Sequence, residues 1–320
     1  MIRLSLLLLI GCVAAAALSM LAGKVWVPLH AWTGDDPRAI IIMELRLPRT
    51  VLALTVGAAL GLSGAVMQGY LRNPPADPGL FGVSSGAALG AVVSLYFGYA
   101  AQAWLLPGFA LAGAGATMAL LALIAGRSGS LILFTLAGLI LTSIAGSLTA
   151  LVITLAPSPY VASQIVTWLM GALTDRSWDD VRIALPLVLA GTAVLATTAR
   201  WLDALTLGEA AARSLGADLG RLQTLVIVGT ALTVGASVAS AGVIGFVGLI
   251  VPHLVRPLVG ARPSAILLPS ALGGALLVTV ADSLVRLAPT ASELRLGIAM
   301  SMLGGPFFLY LLVRMRRRLA

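Results

Sequence analysis

The sequence has few charged residues, few aromatic residues and a single cysteine. Only 10% of the 320 residues are charged and 6% are aromatic, whereas about a quarter of a soluble domain is charged. Cys12 lies alone in a long apolar run, which excludes a disulfide framework and is typical of a small buried side chain. A composition this poor in charge argues against a water-soluble fold.

Motifs for chemistry are also missing. The sequence contains no HExxH pattern and no nucleophile beside a base, and its only lysine, Lys24, lies outside any GxxxxGK[ST] pattern for binding ATP phosphates. His30 and His253 are far apart and fall on opposite sides of the predicted membrane, so no metal site is expected. No Asp, Glu, Lys or Arg lies in the middle of a predicted span, which disfavours an ion-coupled secondary transporter, the alternative from another class.

Long apolar runs dominate the chain. Hydrophobic residues make up 59% of it and the mean hydropathy is +1.04. A crossing needs roughly 20 apolar residues, so we expect an all-α polytopic membrane protein forming one domain, 1–320, with about ten transmembrane helices. The predicted spans are 4–22, 50–71, 80–98, 106–126, 131–155, 181–199, 222–241, 243–259, 265–284 and 296–313. The first resembles a signal peptide in length, but its apolar run is near spanning length, and we expect it to be retained.

Charge in the loops predicts the orientation. With the N-terminus inside, the inner loops hold more basic and fewer acidic residues than the outer loops, as the positive-inside rule requires. Both termini are then cytoplasmic. The basic cluster at 314–318 follows an apolar helix, which favours anchoring on anionic membrane lipid over nucleic-acid binding.

Two loops and a set of glycines stand out between the spans. Residues 163–170 are amphipathic and predict a helix at the outer membrane surface. The largest polar insertion on the inner side is 200–221, the natural contact surface for a partner that supplies energy. Glycines at spacings of three and four predict close helix packing; they are Gly57, Gly61, Gly64, Gly82, Gly86, Gly90, Gly242, Gly245 and Gly248.

Four stretches in order along the chain resemble the FecCD family, the permease subunits of bacterial ABC importers for haem, iron-siderophores and cobalamin. They read LRLPRTVLALTVGAALGLSGAVMQ (45–68), RNPPADPGLFGVSSGAALG (72–90), GVIGFVGLIVPHLVRPLVG (242–260) and LGGPFFLYLL (303–312). The resemblance implies a homodimer in the bacterial inner membrane, of the type II ABC importer fold. It further implies two cytoplasmic ATPase subunits, which bind ATP and Mg while this chain binds no cofactor, and a periplasmic substrate-binding protein.

The resemblance also assigns roles to residues. Arg46, Arg49 and Arg286 match arginines that pair with glutamates of the binding protein, although arginines that merely anchor helix ends would look the same. The cytoplasmic gate corresponds to Ser128, Gly129, Ser130 and Leu131, where a simple tight turn is the alternative. ATPase coupling falls on the inner loop, at Leu205, Leu207, Gly208, Glu209, Ala211, Arg213, Leu215 and Gly216.

Two departures from the family pattern affect the path and the outer face. Pro75 stands where NPLADP is usual, and Arg295 adds a positive charge where ELPIG is usual. The class of transporter is unaffected. For the cargo we expect an iron chelate, with haem favoured and a ferric siderophore or cobalamin as alternatives carried by the same mechanism.

Overall fold

The structure is a computed structural model, and it describes the whole chain except residues 1, 24, 26, 29–31, 33–35, 37, 100, 101, 103, 127–130, 290–292 and 320. The described residues form helices and connecting turns, with no strand among them. The helices are α1 Ile2–Leu21, α2 Leu47–Tyr70, α3 Val83–Tyr96, α4 Leu105–Ala125, α5 Leu131–Thr154, α6 Pro159–Leu169, α7 Trp178–Thr197, α8 Ala199–Leu205, α9 Glu209–Ser214, α10 Leu219–Ala241, α11 Val247–Val259, α12 Pro263–Leu287 and α13 Leu296–Leu319. A π-helical turn, Ile41–Arg46, leads directly into α2, and a 3₁₀ turn, Pro78–Phe81, precedes α3.

The all-helical membrane fold predicted from the sequence is confirmed, with a correction to the helix lengths. Each of the ten predicted spans contains an apolar helix, and in the described part of the chain seven are long and apolar enough to cross a membrane. The other three are shorter: α3, α11 and the Leu296–Leu311 part of α13. Helices α3 and α11 are short because some residues of their predicted spans are not in the α-helix. These residues belong to the 3₁₀ turn at Pro78–Phe81 and to a non-helical stretch at 242–246.

Two helices form the centre of the bundle. In their most apolar windows, 83% of the residues of the helix ending at Tyr70 and 72% of those in α10 are buried, against 22–28% for α1, α4, α5 and α7. A helix that is apolar on every side and buried is a core helix in a larger bundle. The surrounding helices therefore present their outer faces to lipid or to another subunit.

Glycine brings the backbones of the central helices together. A Cβ on Gly57 would overlap the carbonyl of Gly274 in α12, and one on Gly64 would overlap Gly248 in α11. Close approach of this kind replaces the hydrophobic drive that is absent between helices in lipid. The packing predicted for the glycines is confirmed at these positions, but Gly245 has open space around its Cα and is no packing glycine.

The helix predicted at the outer surface is present as α6. It begins four residues earlier than expected because Ser158 caps it, accepting a hydrogen bond from the Val161 amide, and Pro159 occupies the first helical position. Proline is favoured at that position because its missing N–H would have no partner there.

The chain between α10 and α11 is strained at one residue. Phe246 has φ +68°, in the left-handed region that side chains other than glycine avoid. Its ring lies against Gly304 of α13, where a Cβ would overlap it. The absence of a side chain at Gly304 therefore makes room for the phenylalanine that ends the non-helical stretch.

Candidate functional site: the outer charge cluster and the inner coupling loop

The three arginines expected to dock a binding protein lie together at the outer ends of α2 and α12, and all three are buried. Arg46 is 7% exposed, Arg49 is 8% exposed and Arg286 is 4% exposed. Their docking role presupposed side chains that a partner could reach. The structure does not show such exposure in this chain, and the docking role itself stays a prediction.

Arg49 is held by two carboxylates from distant parts of the chain. Its Nη2 donates to Asp282 at 2.8 Å and its Nη1 donates to Glu293 at 3.0 Å. Its Nε donates to both oxygens of Asp282, at 3.0 and 3.1 Å. Charge-assisted bonds in this fork geometry are the strong class of hydrogen bond. Arg49 therefore joins α2 to α12 and to the segment before α13.

Arg46 and Arg286 join the same cluster to α1. Arg46 donates to the carbonyl oxygens of Met20 and Leu21 at 2.8 and 3.2 Å, near the end of α1. Arg286 donates to the hydroxyl of Ser19, and its Nε lies 3.2 Å from Asp282 without the geometry of a hydrogen bond. The free carbonyls at the end of a helix are natural acceptors for arginine. We call the five residues Arg46, Arg49, Asp282, Arg286 and Glu293 the outer cluster.

Glu293 lies outside the helices and completes the cluster. Burial alone would raise the pKa of Glu293, but the positive charge of Arg49 and a 2.9 Å hydrogen bond from Thr174 together hold that pKa below its usual value. Glu293 is therefore an ionised carboxylate at neutral pH. Sequence reasoning missed its role and that of Asp282, since only the fold brings them to Arg49.

The inner loop at 200–221 is largely helical in the structure. It contains α8 and α9, separated and ended by Gly208 and Gly216, whose φ values of +98° and +85° break the helices. Leu207 and Leu215 flank α9 and are 67% and 66% exposed. Two exposed leucines beside a short helix present an apolar surface at this end of the bundle, the end that the sequence predicts to be cytoplasmic.

The other residues predicted for coupling support this surface. Leu205 is buried beneath it, and Ala211 is partly buried. Glu209 lies 3.7 Å from Arg213 and 3.9 Å from Arg72, so α9 is weakly tied to the turn after α2. Exposed pairs of this length contribute little to stability, which leaves α9 free to be moved by a partner.

Two hydrogen bonds that could not be predicted from the sequence join the inner loop to α12. Asp203 accepts hydrogen bonds from the amide and the hydroxyl of Ser264, at 2.9 and 2.6 Å. Ser264 is in the first turn of α12, where a carboxylate is favoured by the helix dipole. The guanidinium of Arg221 lies over the ring of Trp201, 5.7 Å from its centroid, and this cation–π contact joins α8 to α10.

The remaining predicted sites are only partly within the described residues. Of the gate, Ser128, Gly129 and Ser130 lie outside them, and Leu131 is described only as the first residue of α5. No group of three His, Cys, Asp or Glu side chains in the described part of the chain is placed to hold a metal ion. The expectation that this chain carries no cofactor stays a prediction.

Comparison with known proteins identifies the family. Residues 6–314 match the FecCD transport family. The chain is 41% identical over 280 residues to the cobalamin import system permease protein BtuC of Halobacterium salinarum, covering 85% of this chain and 73% of that protein. It is 37% identical over 314 residues to the Fe(3+) dicitrate transport system permease protein FecD of Escherichia coli, covering 97% of each.

A solved structure agrees with these relatives. The fold matches a metal-chelate type ABC transporter in an inward-facing conformation, with a TM-score of 0.90 and 31% identity, over 98% of this chain and all of the other. A match over nearly the whole length accounts for the spans, the inner loop and the four sequence motifs together. The chain therefore belongs to the FecCD transport family, as a permease subunit of an ABC importer.

Proposed function

We propose that this chain works as a homodimer in the bacterial inner membrane, with both termini cytoplasmic, and imports an intact metal chelate. Two ATPase subunits drive it from the cytoplasm, and a periplasmic binding protein delivers the cargo. The observation that carries this proposal is the inner loop: it is helical, it exposes Leu207 and Leu215, and it is bonded to α12 through Asp203. An imposed movement of the loop therefore reaches a membrane-spanning helix directly.

Haem remains the cargo that we favour from the sequence motifs. A ferric siderophore and cobalamin are the alternatives, and relatives of this chain are named as Fe(3+) dicitrate and cobalamin permeases. All are metal complexes already enclosed by their own ligands. A permease for such a cargo needs a path that admits its size and shape, and it has no need to ligate the metal itself.

The coupling step can be tested at the two exposed leucines. The transporter would be reconstituted in liposomes with an ABC ATPase and a periplasmic binding protein from the same genome, and uptake of haem, ferric dicitrate and cobalamin would be measured with and without ATP. We expect uptake of one cargo that requires ATP. The double variant Leu207→Ala and Leu215→Ala should bind the ATPase at least about tenfold more weakly, because truncated apolar anchors at an interface cost about 1.4 kcal/mol or more.

A matched control separates coupling from damage to the fold. Leu123 in α4 is 78% exposed and lies outside the inner loop, and Leu123→Ala should leave ATPase binding and uptake unchanged. Uptake that proceeds without ATP would refute the proposal. So would a double leucine variant that binds the ATPase as tightly as the original protein.

A further inference from the structure

Three basic side chains come together at the inner end of the bundle, between α11 and α13. His253 and Arg256 lie one helical turn apart near the end of α11, on the same side of the helix. The ring of His253 packs edge-on against Phe307 of α13, with the ring centroids 5.9 Å apart. The positive charges of Arg256 and Arg314 both act on His253, so all three side chains are close to one another. We call His253, Arg256 and Arg314 the inner basic cluster.

Gln68 of α2 holds Arg256 in position because a proline interrupts the hydrogen bonds of α11. Pro252 has no N–H, so the carbonyl of Gly248 lacks the hydrogen bond that it would otherwise accept within the helix. The side-chain amide of Gln68 replaces that bond by donating to the Gly248 carbonyl at 3.2 Å. The oxygen of the same amide accepts a 3.0 Å hydrogen bond from Nη2 of Arg256. Gln68 therefore orients the guanidinium, but a neutral amide leaves its charge uncompensated.

The inner basic cluster has charge and polar atoms without partners. In the part of the chain that the structure describes, no carboxylate lies within 4 Å of Arg256 or of Arg314. The Nε of Arg256 and the Nδ1 of His253 are buried and have no hydrogen-bond partner among the described residues. A buried polar group without a partner is costly. An anion with oxygen acceptors would therefore be stabilised here both by charge and by hydrogen bonds.

The helices that carry the cluster also present an exposed apolar surface. Four of their large apolar side chains are 47–66% exposed: Leu254, Leu258, Leu309 and Val313. Arg314 follows this surface, about 27 Å along α13 from Leu296, and the hydrocarbon core of a bilayer is about 30 Å thick. The charges therefore lie at the level where acyl chains end and lipid head groups begin.

We propose that the inner basic cluster binds the phosphate of an anionic phospholipid, whose acyl chains lie along the exposed apolar side chains of α11 and α13. Basic pockets between helices on the cytoplasmic side of a membrane protein are typical sites for such head groups. The site is distinct from general anchoring by the basic residues at 314–318, because two of its three members belong to α11. It depends neither on the identity of the cargo nor on the ATPase.

A second copy of the chain is the other possible occupant of this surface, and charge argues against it. A two-fold interface brings the same surface of both copies together. Neither α11 nor α13 contains an aspartate or a glutamate. These helices of a second copy would therefore bring further positive charge to the cluster and nothing to compensate it.

The test measures lipid binding by the full-length permease, purified and stripped of lipid in a mild detergent. Phosphatidylglycerol and phosphatidylcholine would be titrated separately, and the bound lipid would be counted by native mass spectrometry. Phosphatidylglycerol should bind at least about tenfold more tightly, because it alone of the two carries a net negative charge. The double variant Arg256→Gln and Arg314→Gln should bind phosphatidylglycerol at least about tenfold more weakly than the original protein.

Two further double variants separate loss of the site from loss of net charge. Arg3 and Arg200 are exposed on other helices at the same predicted cytoplasmic end. Arg3→Gln with Arg200→Gln removes equal charge and should change the affinity by no more than about twofold, because exposed charges away from the site are screened. Arg256→Lys with Arg314→Lys keeps the charge and should retain most of the preference for phosphatidylglycerol.

The proposal is overturned if the glutamine double variant binds phosphatidylglycerol as tightly as the original protein. It is also overturned if the original protein binds both lipids equally, or if the control loses as much affinity as the double variant. A double variant that separates two copies of the chain while lipid binding is unchanged would assign the cluster to an interface between copies, with the same consequence. Should the double variant misfold, Arg314→Gln alone changes an exposed residue and should weaken binding about threefold or more; unchanged binding would then decide against the site.

Discussion

The pair between Arg49 and Asp282 offers a quantitative test of how the outer end of the permease is held together. Three variants are needed: Arg49→Met, Asp282→Leu and the double variant, which replaces the ion pair by apolar side chains of similar length. The side chains are 10% and 1% exposed, so each is deprived of water and depends on its partner. Breaking such a pair from one side is expected to destabilise the fold by about 3–5 kcal/mol.

The two single variants should differ. After Arg49→Met, Asp282 still has Arg286 at 3.2 Å, so some of its charge remains compensated. After Asp282→Leu, Arg286 has lost its only described carboxylate within 4 Å, while Arg49 keeps Glu293. Because the outer cluster holds three arginines and two carboxylates, removing a carboxylate increases the imbalance and removing an arginine relieves it. We therefore expect Asp282→Leu to be the more destabilising.

The double variant should cost less than the sum of the single variants, with an interaction energy of about 0.5–3 kcal/mol. Stability would be measured by reversible denaturant titration in mixed micelles, with the retention of monodisperse protein after heating as a second measure. Arg182→Met, which breaks the exposed pair with Asp179, is the control and should cost no more than about 1 kcal/mol. Additivity of the two buried variants, or a control as damaging as Arg49→Met, would refute this account.

Two further predictions concern packing and pH, and a third concerns energy coupling. Gly57→Ala should lower the free energy of unfolding in the same titration by about 1–3 kcal/mol, because the added methyl group would overlap the backbone of α12. Gly115 in α4 has open space beside it, so Gly115→Ala should leave that free energy unchanged or raise it slightly. The pKa of Glu293 is lowered in the folded protein, so its stabilisation is complete above its unfolded pKa of about 4.3 and is lost as pH falls from there through the lower, folded pKa. The stability of Glu293→Gln should therefore differ from that of the original protein by a constant amount at neutral pH and should approach it as pH falls below about 4.3. A difference that stays constant below that pH would contradict this. Asp203→Ala removes the bonds to Ser264 and should lower uptake per ATP hydrolysed while ATPase binding persists; an unchanged ratio would exclude a coupling role.

The membrane fold could be predicted from the sequence because the solvent determines it. Ten long apolar runs have few stable alternatives to helices in lipid, where each backbone polar group must find a partner inside the chain. The predicted ends were wrong where the chain leaves the helix without becoming polar. Residues 243–246 were predicted to be part of a span, yet Gly242 and Phe246 adopt positive φ and α11 begins only at Val247. Hydropathy does not predict such a break, because the residues in it are as apolar as those of a helix.

The candidate sites were harder to predict, for a reason visible at Arg49. The sequence indicates where an arginine lies relative to the membrane, but Asp282 is 233 positions away, and only the packing of α2 against α12 brings the two together. Exposure was expected because the family resemblance assigned Arg49 to docking a partner. The helical turns of the inner loop and the glycines that end them could be read from the sequence because they are local properties, whereas the exposure of Leu207 and Leu215 depends on the fold.

Helix α12 links the two functional ends of the molecule. Its first turn is bonded to the inner loop through Ser264 and Asp203, and its last turns carry Asp282 and Arg286 into the outer cluster. A helix of 25 residues spans about 37 Å. Its Gly274 packs closely against Gly57 of α2, whereas Pro269 inside the helix removes one backbone hydrogen bond and is a site where α12 can bend. A push on the inner loop is therefore expected to reach the outer cluster along α12, and breaking either end of α12 should uncouple ATP hydrolysis from the outer face without abolishing hydrolysis itself.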